Sequence, residues 1–123
     1  MEKLLSVAGV ILNSSGDILL HQREEGVWEV FATYVQPGER LVEALDRRVK
    51  EYSGLTGVNF EFTGRYYDDP NRHPGRHCIP FLFKGVCDTT EIDSSSRWFK
   101  KEEVRELELA LDNKQMLVDI QAI

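Results

Sequence analysis

Residues 40–53 constrain this chain of 123 residues more than any other stretch. Leu41, Leu45, Val49 and Tyr52 recur there at spacings of four, four and three, which lays one apolar stripe along a helix of 3.6 residues per turn. Pro37-Gly38 punctuates the chain just before the stripe, and Glu39 sits near the positive end of the expected helix. Gly54 supplies the left-handed stop.

The flanking segments read as strands. Residues 5–12 and 18–22 are β-rich runs joined by Asn13-Ser14-Ser15-Gly16-Asp17, whose side chains favour turns, so a hairpin is expected. A short strand is expected at 27–31, and two more at 60–67 and 79–86 around a polar loop at 68–77 that Pro70, Pro74 and Gly75 keep irregular. Helices are expected near 101–107 and from Asp112, read as an N-cap, to about Ile120. Ser94-Ser95-Ser96 reads as a loop, and no repeat or low-complexity tract interrupts the pattern. Helices and strands mixed in this order predict a single α+β domain over 1–123, a mixed sheet sandwiched between helices.

Charge narrows the function. Fifteen Lys and Arg against 21 Asp and Glu leave a net charge of -6, which argues against bulk nucleic acid or an anionic membrane surface as partner. A local basic pocket for a small anion survives that argument. No apolar run approaches the roughly 18 residues of a membrane span, and the start of the chain lacks a signal-peptide pattern, so a cytoplasmic location is expected. Cys78 and Cys87 lack metal-site spacing and read as reduced, partly buried thiols.

The helix carries the chemistry. Seven residues separate Glu39 from Arg47, and Arg47-Arg48-Val49-Lys50-Glu51-Tyr52-Ser53-Gly54-Leu55 follows without a gap. In that frame the chain resembles the Nudix hydrolase family, whose signature is G-x5-E-x7-R-E-U-x-E-E-x-G-U with U a bulky aliphatic residue. Gln22-Arg23, Gly26, Trp28, Pro37-Gly38-Glu39 and the late Trp98-Phe99 resemble the family's flanking features, so the likeness spans most of the chain. The resemblance implies the Nudix fold, a MutT-like pyrophosphohydrolase activity, and Mg²⁺ or Mn²⁺ held by helix carboxylates.

This sequence departs from the signature in three places. Thr33 stands where the family has its glycine, Arg48 where it has the first helix glutamate, and Tyr52 where it has one of the paired glutamates. Positions 48, 51 and 52 share one helix face, and only Glu51 keeps a carboxylate there, beside a cation that cancels it. Metal binding in the absence of substrate is therefore expected to be weak.

The resemblance makes Glu51 the metal ligand and, with Arg47 and Glu39, the catalytic set. For each a plain alternative stays open: Glu51 and Arg47 as a solvated helix pair, Glu39 as a favourable charge at the helix start. Arg23, Arg48, Arg72 and Arg76 are the candidate substrate-binding residues, Arg72 and Arg76 because arginines and histidines on a proline-bearing loop suit phosphates and ribose hydroxyls. Trp28 reads as a packing aromatic and His21 as a strand-surface residue.

Pro70 and the run Asp69-Pro70-Asn71-Arg72-His73-Pro74-Gly75-Arg76-His77 resemble the ADP-ribose-cleaving branch of the family. The leading expectation is hydrolysis of a nucleoside diphosphate linked to another moiety, ADP-ribose first, with activity weakened by the two lost glutamates. The alternative is a catalytically inactive nucleotide-binding or regulatory module; a house-cleaning enzyme for modified triphosphates ranks third. A small nucleotide is the expected partner, and a homodimer is left open.

Overall fold

The computed structural model describes residues 2–123. Strands β1 (Lys3–Leu12), β2 (Ile18–Glu24), β3 (Val27–Glu29) and β4 (Phe31–Tyr34) precede helix α1 (Leu41–Ser53). Then come β5 (Asn59–Tyr66), β6 (His77–Val86), β7 (Ser96–Phe99), α2 (Lys101–Glu106) and α3 (Asn113–Asp119). The strands form one mixed sheet ordered β3-β2-β1-β6-β5, with β4 paired to β1 and β7 to β2.

Its centre is the parallel pair β1–β6, in register from Lys3 with His77 to Leu12 with Val86. The expected hairpin of β1 and β2 is present but pairs only at Ile11–Leu19 and Leu12–Ile18, because β4 takes the other half of the same β1 edge from Ser6 to Gly9. The single strand expected at 27–31 is two strands. Val30 breaks it, because its N–H donates 2.9 Å to the side-chain oxygen of Asn113 while the chain crosses from its pairing with β2 to its pairing with β1.

Helices cover both faces, as the α+β sandwich requires. On one face Ala44, Leu45 and Val49 of α1 pack with Val7, Ile11, Leu19 and Phe31. On the other, Val104 of α2 and Met116 and Leu117 of α3 pack with Ala8, Val10, Leu20 and Phe99. Burying the valine, leucine, isoleucine, methionine and phenylalanine side chains among these stabilises the fold by roughly 1.5–3 kcal/mol each. At Gly9 α1 packs tightly on the sheet: a Cβ there would meet the Leu45 side chain at 2.8 Å.

The ends of α1 follow the sequence signals. The Arg40 N–H donates 2.8 Å to the Glu43 carboxylate at the start, and Gly54 takes a φ of 76° at the end. The serine run is more than a loop. Ser96 opens β7, and the hydroxyls of Ser95 and Ser96 donate to the Tyr52 carbonyl, one of the last carbonyls of α1.

Candidate functional site

Arg47 and Arg48 point from α1 toward β4. Arg47 donates to the carbonyl of Tyr34 at 3.1 Å and Arg48, through Nε, to that of Ala32 at 2.9 Å. The two carbonyls lie two residues apart on β4, and successive residues of a strand alternate direction, so both face the edge that β1 leaves unpaired. Adjacent arginines on one helix turn thus close a strand edge.

Arg47 is engaged elsewhere as well. Its Nε and one terminal nitrogen grip both oxygens of Glu39, at 2.8 and 3.0 Å, and its other terminal nitrogen reaches Glu51 at 3.4 Å. Glu39 also accepts the Gln36 N–H at 2.9 Å. The Arg47 hydrogen bond first, and the Gln36 N–H second, hold the Glu39 carboxyl below its ordinary range, and the same contact raises Arg47. Glu39 and Arg47 form a buckle between the turn before α1 and the helix itself.

Arg48 is held differently. Its guanidinium carbon lies 4.3 Å over the Tyr52 ring, and a terminal nitrogen stands 3.4 Å from Glu51. Tyr52 in turn stacks on His21 at 4.4 Å and an interplanar angle of 5°. His21 does not lie on the surface as expected: it is 1% exposed, pressed between Tyr52 and Phe31, with Nε2 3.1 Å from Glu29. A tyrosine at position 52 offers the imidazole a flat apolar cover, which is what buries it.

Beside β4, whose Ala32, Thr33 and Tyr34 contribute to the wall, the expected substrate residues come together. A cavity of about 340 Å³ is lined by Arg23 of β2, Arg48 of α1, and Arg72, His73 and Arg76 of the loop between β5 and β6. Ser6, Tyr34, Cys78 and Pro80 also line it, and Glu29 is the one carboxylate in its lining among the described residues. That volume lies at the small end of ligand pockets. Each loop arginine has one short anchor. Arg72, whose side chain is 9% exposed, meets Asp112 at 2.7 Å, and Arg76 donates 2.6 Å to the Tyr34 hydroxyl. Asp112 stands at the start of α3 as expected, but its side chain holds Arg72 and makes no cap.

Sequence reading named the four arginines one by one, missed Glu29 and Tyr34, and read Asp112 only as a cap. Tyr34 and Asp112 approach the loop through contacts distant in sequence, and nothing local marks them. Trp28 packs edge-on against Phe99, as a packing aromatic should. Cys78 is buried and Cys87 half-buried, both free. Among the described residues no helix is long and apolar enough to cross a membrane.

The family model for the NUDIX domain matches residues 2–120. The chain belongs to the Nudix family. Solved structures share the fold of this Nudix domain. The NUDIX domain of Shewanella oneidensis NrtR, complexed with ADP ribose, is 17% identical with a TM-score of 0.86, over 98% of this chain and 88% of that one. A NUDIX hydrolase from Nitrosomonas europaea is 22% identical with a TM-score of 0.79, over 98% and 90%. A bifunctional NMN adenylyltransferase/ADP ribose pyrophosphatase from Francisella tularensis, complexed with AMP and a Mn ion, is 15% identical with a TM-score of 0.77 over 98% of this chain, which spans 41% of its length. No curated protein sequence matches the chain.

Nudix hydrolases generally use divalent metals, and the donor set here does not fit one. Glu51 is 46% exposed, and each of its oxygens faces a guanidinium at 3.4 Å. Glu39 is closed by Arg47 and Gln36. Among the described residues no three His, Cys, Asp or Glu side chains converge as a metal-holding group. What the Nudix frame presents instead is a cavity of guanidinium groups, suited to binding and orienting a phosphate-bearing ligand.

Proposed function

We propose that this Nudix domain binds a nucleoside diphosphate linked to another moiety, with ADP-ribose the first member of that class. One observation carries the reading: Arg23, Arg48, Arg72 and Arg76, from a strand, a helix and a loop, line a single cavity in a chain whose net charge is -6. Like charges gathered against the overall balance are stabilised by an anion between them. Arg72 and Arg76 would hold the diphosphate from the loop side, Arg23 and Arg48 from the sheet and helix. The ADP-ribose ligand of the Shewanella domain supports that ranking.

Metal-dependent cleavage, giving AMP and ribose phosphate from ADP-ribose, is the second reading. Its support is Glu51, whose exposed carboxylate keeps its place in the box and has only long contacts to exchange. With no further carboxylate grouped beside it, binding outruns turnover. Phosphorus NMR of ADP-ribose with the protein and Mg²⁺ or Mn²⁺ tests both readings. Shifted resonances without new monophosphate signals are expected. Monophosphate signals that vanish with chelator or in Glu51→Gln would put hydrolysis first, and spectra unchanged at high protein concentration would sink the ligand class.

A further inference from the structure

Within the cavity, Arg48 has an unusual setting. Its Nε–H is committed to the Ala32 carbonyl at 2.9 Å, and its guanidinium plane lies on Tyr52, which stacks on the buried His21. A column of rings rooted in the core thus fixes where this cation sits. A guanidinium carries five N–H donors, and among the described residues its only other acceptor is Glu51, at 3.4 Å. The remaining terminal donors belong to a residue that lines the cavity.

We infer that Arg48 is a built-in countercharge for the diphosphate, so that the cavity takes a diphosphate diester free of divalent ion and rejects magnesium complexes of nucleoside triphosphates. The inference rests on the binding reading above and narrows its ligand class. A divalent ion entering this cavity meets four guanidinium groups, with Glu29 the only carboxylate in the lining. Glu29 is itself turned to His21 at 3.1 Å. Repulsion among like charges is strongest where water is sparse. A triphosphate brings its magnesium with it, bridged between phosphate oxygens. A diphosphate diester, with one charge on each phosphorus, chelates magnesium weakly and arrives without it. Because Arg48 is already in position, the ligand gains its charge-assisted hydrogen bonds without ordering a side chain first.

Titration calorimetry of the full chain with ADP-ribose and with ATP, each in chelator and in millimolar Mg²⁺, tests this. ADP-ribose affinity should change by less than about twofold between the buffers, and ATP affinity should fall about tenfold on adding Mg²⁺. In chelator, Arg48→Gln should weaken ADP-ribose about tenfold, with Arg48→Lys between it and the native protein, since lysine keeps the charge and loses the fork. Melting curves of both variants confirm that the fold is intact. Mg²⁺ strengthening ADP-ribose binding tenfold, or Arg48→Gln binding as tightly as the native chain, would overturn the inference and leave the cavity reading standing. ADP-ribose that binds in neither buffer would bring down both.

Discussion

Arg47 and the cavity arginines lie on neighbouring parts of one molecule and are wired in opposite ways. Arg47 meets Glu39 twice, the Tyr34 carbonyl once and Glu51 once, so four of its five donors are taken up by the protein. Arg72 and Arg76 have one short side-chain anchor each, Asp112 and the Tyr34 hydroxyl, which aim a guanidinium and leave most of its donors open. A saturated arginine has little left to offer a ligand, whereas a singly anchored one keeps donors free for it. Arg48 stands between the two: its Nε is committed to the Ala32 carbonyl and one terminal nitrogen faces Glu51, yet it lines the cavity.

The largest way to break the contrast is to remove the support both groups share. Leu45 is fully buried between α1 and the sheet, and Leu45→Ala should cost about 2–5 kcal/mol in denaturant unfolding, loosening buckle and cavity together. Next in size, Arg72→Ala should lower ADP-ribose affinity by about 1.5–3 kcal/mol, the range of hydrogen bonds to charged groups, whereas Arg47→Ala should lower stability and leave affinity nearly unchanged. Calorimetry and melting curves on the same two variants separate the outcomes, and equal affinity losses would erase the distinction. Tyr34→Phe removes the hydroxyl that anchors Arg76 and touches the Cys78 sulfur at 3.3 Å, so a loss of about 0.5–1.5 kcal/mol in binding is expected with little change in stability.

The smallest effect concerns pH. Glu39 has a folded pKa below its ordinary value of 4.5, chiefly through its hydrogen bond to Arg47. A lowered carboxyl pKa stabilises the fold above the unfolded value, and that stabilisation is lost as pH falls through the folded one. Glu39→Gln should therefore lower the melting temperature at neutral pH, and the gap from the native chain should close as pH drops below about 4.5. A gap that held constant would mean that the charge of Glu39 contributes nothing to the buckle.

What the sequence disclosed was local. The stripe from Leu41 to Tyr52 and the glycine at 54 defined α1 because a helix closes its own hydrogen bonds, and the box frame placed Arg47, Arg48 and Glu51 on it. Arginines at 23, 48, 72 and 76 could be named because the resemblance and the loop composition each flagged some of them. Their meeting in one cavity depends on pairings between distant segments, which no local pattern encodes. The same blindness hid His21, whose strand position fits either face until Tyr52 covers it, and Asp112, whose side chain fits a cap until Arg72 claims it. Val30 likewise reads as the middle of a strand, and only the distant Asn113 makes it a break.

The parallel pairing of β1 with β6 also bears on how the molecule is made. During synthesis β1 finds its longest partner only when β6 has followed, so the middle of the sheet stays open while β2, β3, β4, α1 and β5 accumulate. Until then the apolar run from Val7 to Ile11 has only β2 and β4 beside it and one edge bare. Closure across so long a separation slows folding for a chain of this size, and truncation before residue 86 leaves that edge of β1 bare and open to pairing with another chain.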